Sequence, residues 1–274
     1  MALAGAALLA YSLRKPFATE DAAWQKPIDS IVYQGHYYIV ALAAGAALAG
    51  VAALALGRRS GMGPAVLAGF ALAGLWGTAV FQVLGIRVNA NPHSFSGYHF
   101  EVSAGYVLAL AGHYAIVLAG SCAVLALWMR GRGGLGVRAP RDKLSITTLL
   151  LGLSGCAAVS FAPFEISGWA FLRGDFVWIT VSAAALAAVP VAAACLRPRV
   201  PVCAAMIGLA IAAPAIRFQL YSLGQHLDKW GGAIVYESGN TDLTGWLLVS
   251  LGAVGVINLI ALVKIARRQR ESAE

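Results

Sequence analysis

Gly35-His-Tyr-Tyr-Ile-Val-Ala-Leu-Ala-Ala-Gly-Ala-Ala-Leu-Ala-Gly-Val-Ala-Ala-Leu-Ala-Leu-Gly57 runs for 23 positions without one Asp, Glu, Lys or Arg, and Arg58 and Arg59 follow it directly. A helix that crosses a bilayer needs about 20 mostly apolar residues. This stretch supplies them and stops at a pair of charges. Six further segments meet or approach the same requirement, at roughly 64–85, 103–129, 145–163, 176–196, 201–217 and 243–265. An eighth, 1–13, is apolar but short. It has no basic residue ahead of its apolar run, which makes it a poor signal peptide.

The whole composition agrees. Of 274 residues, 59% are hydrophobic and 12% are charged. A soluble domain carries about 25% charged residues. The charge is too sparse to cover a water-facing surface, and the mean hydropathy is +0.74. The sequence therefore predicts an all-α polytopic membrane bundle of seven to eight transmembrane helices. A soluble enzyme, a disordered chain and a disulfide-rich secreted module are excluded. Cys122, Cys156, Cys195 and Cys203 all lie in or beside apolar segments without CxxC spacing, and read as small packing residues.

Orientation follows from the loops. The segments 58–63, 130–144, 197–200 and 266–274, with Lys264, hold 13 basic and 3 acidic residues; the alternate set holds 7 basic and 9 acidic. Lys and Arg accumulate on the cytoplasmic side. The C-terminus is thus expected inside a plasma (inner) membrane, with loops 14–34, 86–102, 164–175 and 218–242 outside. The Ala, Gly and Arg bias fits a GC-rich bacterium.

The 26 aromatic residues are asymmetric too. Only Phe70, Trp76 and Trp128 lie away from the outer half, whereas membrane proteins usually carry aromatic belts at both interfaces. The outer loops read as an aromatic-rich cap, with Trp169, Phe171, Tyr221, Trp230 and Tyr236 as candidate partner-binding residues. Ala/Gly-rich helix faces such as 41–50 and 68–74 suit close helix packing in lipid. Pro190 and Pro214 fall inside spans and are expected to kink them.

Phe81-Gln82 recurs as Phe218-Gln219 after 137 residues. Each pair ends an outward-going helix. The chain accordingly divides into 1–137 and 138–274, two parallel repeats of four spans each within one membrane unit. A second pattern recurs on the outer side: Glu101-Val-Ser-Ala, Glu165-Ile-Ser-Gly-Trp and Asp242-Leu-Thr-Gly-Trp. A hydroxyl with a nearby carboxylate suits a helix N-terminus. Helix capping is the expected role, with Glu165 starting a short interfacial helix.

For chemistry, the five histidines are His36, His93, His99, His113 and His226. His36 and His113 stand in similar strings, Gly35-His-Tyr-Tyr-Ile-Val40 and Gly112-His-Tyr-Ala-Ile-Val117, and are candidate haem ligands. Their different depths along their helices disfavour a shared iron. His93, His99 and Glu101 are a candidate divalent-metal set by donor type, although their spacing matches no established motif. His113 is the one ionisable side chain placed well inside a span, which marks it for a role; a neutral ring bonded to a neighbouring helix is its expected state. There is no P-loop, no dinucleotide fingerprint, no HExxH and no Ser-His-Asp set. No Asp, Glu, Lys or Arg stands mid-span for ion coupling. The short, Gly-rich basic loop 130–144 is suited to lipid phosphates and not to nucleic acid.

The expected function is a non-catalytic integral membrane subunit or partner-binding protein, in contact with the bilayer and with other membrane subunits. The alternatives are a transporter, channel or lipid-handling component for a neutral or lipophilic molecule, and a haem- or metal-binding redox subunit.

Overall fold

A computed structural model of the protein describes residues 1–15, 18–20, 27–28, 35–57, 61–71, 74–75, 100–130, 142–167, 187–195, 199–229 and 240–271. Their order is α1 (Ala2–Ser12), β1 (Ala18–Glu20), β2 (Pro27–Ile28), α2 (Gly35–Leu56), α3 (Met62–Ala71), β3 (Phe100–Val102), α4 (Ala104–Arg130), α5 (Lys143–Ser167), α6 (Ala188–Cys195), α7 (Arg199–Lys229) and α8 (Asn240–Glu271).

Four of these helices are long and apolar enough to cross a membrane: Tyr37–Leu56, Ala104–Met129, Val200–Phe218 and Gly245–Arg268. Shorter apolar helices are Ala2–Ser12, Met62–Ala71 and Lys143–Ala157. The surface fits a lipid solvent. Leu54 is 73% exposed, Val249 64% and Leu150 63%. In water each such side chain would forfeit roughly 1.5–3 kcal/mol of available burial; against acyl chains it forfeits little.

The core is built from small residues and a few large ones. Leu9, Ile39, Leu42, Phe70, Ile116, Met206 and Leu209 are its largest fully buried side chains. Around them, α1 packs on α2 and α4, and α2 packs on α7. In the second half α5 packs on α6, α7 and α8, α6 on α7, and α7 on α8. Helix α3 lies against α2 and α7. A Cβ added at Gly69 would collide with the backbone of Ala205, and one at Gly208 with the backbone of Val66. Backbones this close are possible in lipid only where side chains are absent. The α2–α3 turn is closed by Gly57 and Gly61, at φ of 67° and 71°, the left-handed region that glycine enters without penalty.

Three details go beyond the expected helical bundle. The helical class holds, and beside the helices β2, β1 and β3 form a small antiparallel sheet, with Ala18 opposite Ile28 and Val102. It ties the connection after α1 to the entry of α4. Strands of two or three residues carry no periodic signal for sequence reading to find. Next, the outer helix ends extend further than hydropathy suggested. Helix α7 continues to Lys229 and α5 to Ser167, because backbone hydrogen bonding continues past the last apolar residue. Finally, Pro190 is the third residue of the described helix α6, in its first turn, where the missing N–H is tolerated; the span ahead of it, 176–186, lies outside the described residues. Pro214 does lie inside α7.

Candidate functional site

His113 stands in the tenth position of α4, and its ring is almost fully buried at 1% exposure. The polar groups around it determine its state. Its Nδ1 lies 2.7 Å from the carbonyl oxygen of Ala109, one turn earlier. A carbonyl only accepts, so Nδ1 carries the hydrogen. Nε2 then accepts, and the donor is the Tyr38 hydroxyl at 2.6 Å. Tyr38 belongs to α2 and is 2% exposed. The two rings are tilted, with centroids 5.6 Å apart. The result is a neutral imidazole bonded to a neighbouring helix, as the sequence suggested, with both ring nitrogens engaged by the protein itself.

The preceding residue of α2 links the two halves of the chain. Tyr37 stacks on Phe218 of α7, with centroids 5.8 Å apart and planes 26° from parallel. Tyr106 of α4 is half-buried against the same core. The start of α2 thus places two consecutive aromatic rings on different neighbours, one hydrogen-bonded within the first half and one stacked across to the second.

A second polar seam joins α5 and α8. Asn258 donates through Nδ2 to the Thr148 hydroxyl at 3.2 Å and to the Val254 carbonyl at 2.8 Å. Nearer the other end, Trp246 Nε1 donates to the Ser154 hydroxyl at 2.6 Å. Between them, Ser250 turns its hydroxyl back onto the Trp246 carbonyl at 2.7 Å. Gly155 faces Ser250 and Leu251 at this level, which lets α5 and α8 approach closely. The contacts 148 to 258 and 154 to 246 run in opposite senses along the two helices, so the pair is antiparallel.

The other sequence candidates fall as follows. His36 lies in the first turn of α2, and its side chain is outside the described residues. What meets His113 from α2 is Tyr38. Glu101 is in β3, opposite Thr19; His93 and His99 are outside the described residues. Among the described residues no three His, Cys, Asp or Glu side chains come together to hold a metal ion. Tyr221 is not in a loop but on α7, and Trp169, Phe171, Trp230 and Tyr236 are outside the described residues.

The proposed caps also need revision. Glu101 precedes α4 in a strand, and the helix enters through Ser103, whose carbonyl accepts from the Val107 N–H. Glu165 lies in the last turn of α5. That is the negative end of the helix dipole, so it starts no interfacial helix there. Asp242 does fall in the first turn of α8. A cap with side-chain hydrogen bonds is found at α5: Asp142 accepts from the Ser145 N–H at 3.0 Å and the Ser145 hydroxyl at 2.9 Å. Its signal was readable as an Asp directly ahead of an apolar run.

Sequence reasoning also passed over Tyr38, Thr148 and Asn258. All sit in apolar runs where a single polar residue barely alters the hydropathy. A further signal accompanies the Phe-Gln pairs. Pro64 and Pro201 are also 137 residues apart, and each is the third residue of its helix.

No family model, no curated protein and no solved structure matches the chain.

Proposed function

We propose that this chain is a non-catalytic integral membrane subunit that binds other membrane proteins, and that it is built as two parallel four-helix units, 1–137 and 138–274. The observation that carries this reading is the use of polar groups inside the bundle. Among the described residues, the buried polar ones are Ser12, His113, Thr148, Ser250 and Asn258. Each is hydrogen-bonded to its own helix or to a neighbouring one. Groups placed this way hold helices together; they line no path. Where α3 and α7 cross in backbone contact there is no room for a solute, which favours the subunit reading over a carrier.

Three observations support the repeat. Contacts in the first half join α1 to α2 and α4, and those in the second join α5 to α6 and α8. Pro64 to Phe81-Gln82 and Pro201 to Phe218-Gln219 share one spacing. With that offset, position 69 corresponds to 206, and Gly69 meets Ala205. Third helices that cross near equivalent residues fit a two-fold axis normal to the membrane. The charge bias of the loops supports a cytoplasmic C-terminus in a bacterial plasma membrane. The outer aromatic residues Trp169, Phe171, Tyr221, Trp230 and Tyr236 are the proposed contact set, since Trp and Tyr dominate interface energetics.

The test is co-purification of the tagged full chain in mild detergent, followed by mass spectrometry. Retention of stoichiometric partner chains, lost on combining Trp169→Ala with Trp230→Ala, is the expected result. A chain that migrates alone at the mass of its own monomer overturns the reading.

A further inference from the structure

Three buried serine and threonine hydroxyls stand among the described residues: Ser12, Thr148 and Ser250. Two of them close back onto their own helix. Ser12 donates to the Leu9 carbonyl at 2.7 Å, and Ser250 to the Trp246 carbonyl at 2.7 Å. The exposed Ser121 does the same, to the Val117 carbonyl at 3.0 Å. This is the ordinary way for a hydroxyl inside a helix to place its hydrogen. Thr148 departs from it. Its oxygen accepts from Asn258 Nδ2 at 3.2 Å, and no bond runs from it to the Leu144 carbonyl one turn earlier.

The Asn258 amide can stand only one way round. Its Nδ2 also donates to the Val254 carbonyl at 2.8 Å. A carbonyl only accepts, so turning the amide over would set Oδ1 against the Val254 oxygen, two acceptors face to face. Nδ2 therefore points at Thr148, and Thr148 answers as an acceptor. Two groups are left over: the hydroxyl hydrogen of Thr148 and Oδ1 of Asn258. Neither meets a partner among the described residues, and both side chains are 2% exposed. One is a donor and the other an acceptor. Hydrocarbon supplies neither, so such groups have to be satisfied inside the protein.

We infer that one water molecule is bound in the α5–α8 seam, accepting from the Thr148 hydroxyl and donating to Asn258 Oδ1. The span suits it. The nitrogen and oxygen of an amide are about 2.3 Å apart by covalent geometry, which puts Oδ1 within about 5.5 Å of the Thr148 oxygen. One water with two hydrogen bonds of about 2.8 Å covers that distance. Buried waters serve polar groups of this kind, which the protein leaves unsatisfied. The site also has an approach. Thr148 is the sixth residue of α5, about 7.5 Å from the helix start at about 1.5 Å per residue. Asp142, Ser145 and Thr148 follow one another at three-residue intervals, along one helix face. Ser145 is half-buried and donates to Asp142 at 2.9 Å. Polar groups thus lead from the basic end of the bundle to the seam. With the water in place, α5 and α8 are joined at this level by a direct bond and a bridge. The inference is independent of whether the protein has partner subunits.

The test is solid-state NMR of the full chain in lipid bilayers, with magnetisation passed from water protons to labelled Thr, Ser and Asn side chains. Thr148 Cβ and Asn258 Cγ are expected to receive it at mixing times at which Ser250 Cβ, equally buried but closed on its own helix, receives none. Thr148→Val removes the donor and should abolish the transfer to Asn258, while unchanged Ser250 and His113 shifts report an intact fold. Absence of transfer to Thr148 and Asn258 in wild type overturns the inference. So does a Thr148 hydroxyl hydrogen found on the Leu144 carbonyl, or transfer to Asn258 that survives Thr148→Val.

Discussion

Asn258 on α8 and Thr148 on α5 are 110 positions apart in sequence and 3.2 Å apart in space, joined by an amide-to-hydroxyl hydrogen bond inside an otherwise apolar seam. Such a bond is worth about 0.6 kcal/mol on average between membrane helices and about 1.7 at most. A double-mutant cycle with Thr148→Val and Asn258→Leu should therefore give a coupling energy near that average, read from reversible unfolding in mixed micelles. A coupling indistinguishable from zero would mean that the two side chains do not meet.

The buried imidazole makes a sharper case. Tyr38→Phe removes the hydroxyl that donates to Nε2 of His113 and leaves ring packing nearly intact. Loss of that donor to a buried acceptor should destabilise the bundle by about 1–3 kcal/mol. His113→Leu in the Tyr38→Phe background removes that acceptor and should recover part of that loss. An additive double mutant in the same unfolding assay would refute the pairing.

Glycine substitutions separate contact from propensity. Gly69→Ala and Gly208→Ala each place a methyl group on the backbone of the crossing helix, and overpacking of this kind costs about 1–3 kcal/mol or more. Gly252→Ala meets nothing within 4 Å and should stabilise α8 by up to about 1 kcal/mol, the helix-propensity difference. Thermal melts of the three variants in detergent should fall on opposite sides of wild type.

Topology is tested by labelling. Ser60→Cys and Ser272→Cys, both in the basic set of segments, should resist a membrane-impermeant thiol reagent added to intact cells and react after lysis. Efficient labelling before lysis would invert the orientation.

The helices were legible in the sequence because hydropathy reports burial in lipid directly. The segment 35–57 became Gly35–Leu56, and 103–129 became Ala104–Arg130. The outer ends were not, since Arg217 ends the apolar run without ending the hydrogen-bond ladder of α7, which runs on to Lys229. His113 stood out as an ionisable group within a span, while its partner did not. A tyrosine near a helix mouth reads as an interfacial anchor, and only the relative placement of α2 and α4 shows that Tyr38 turns inward. The seam through Thr148 and Asn258 was hidden for the same reason: pairing across 110 residues is a property of the packed bundle.

Helix α1 depends on a neighbour that arrives late. Leu9, fully buried, rests against Gly112 of α4, about 100 residues downstream. At a synthesis rate of about 5–20 residues per second, that partner emerges roughly 5–20 s after α1 does. During that interval α2 is, among the described helices that pack on α1, the one already made. A short helix of 11 residues waiting that long would be held by the insertion machinery or by lipid, so the first half of the bundle closes last at the segment made first.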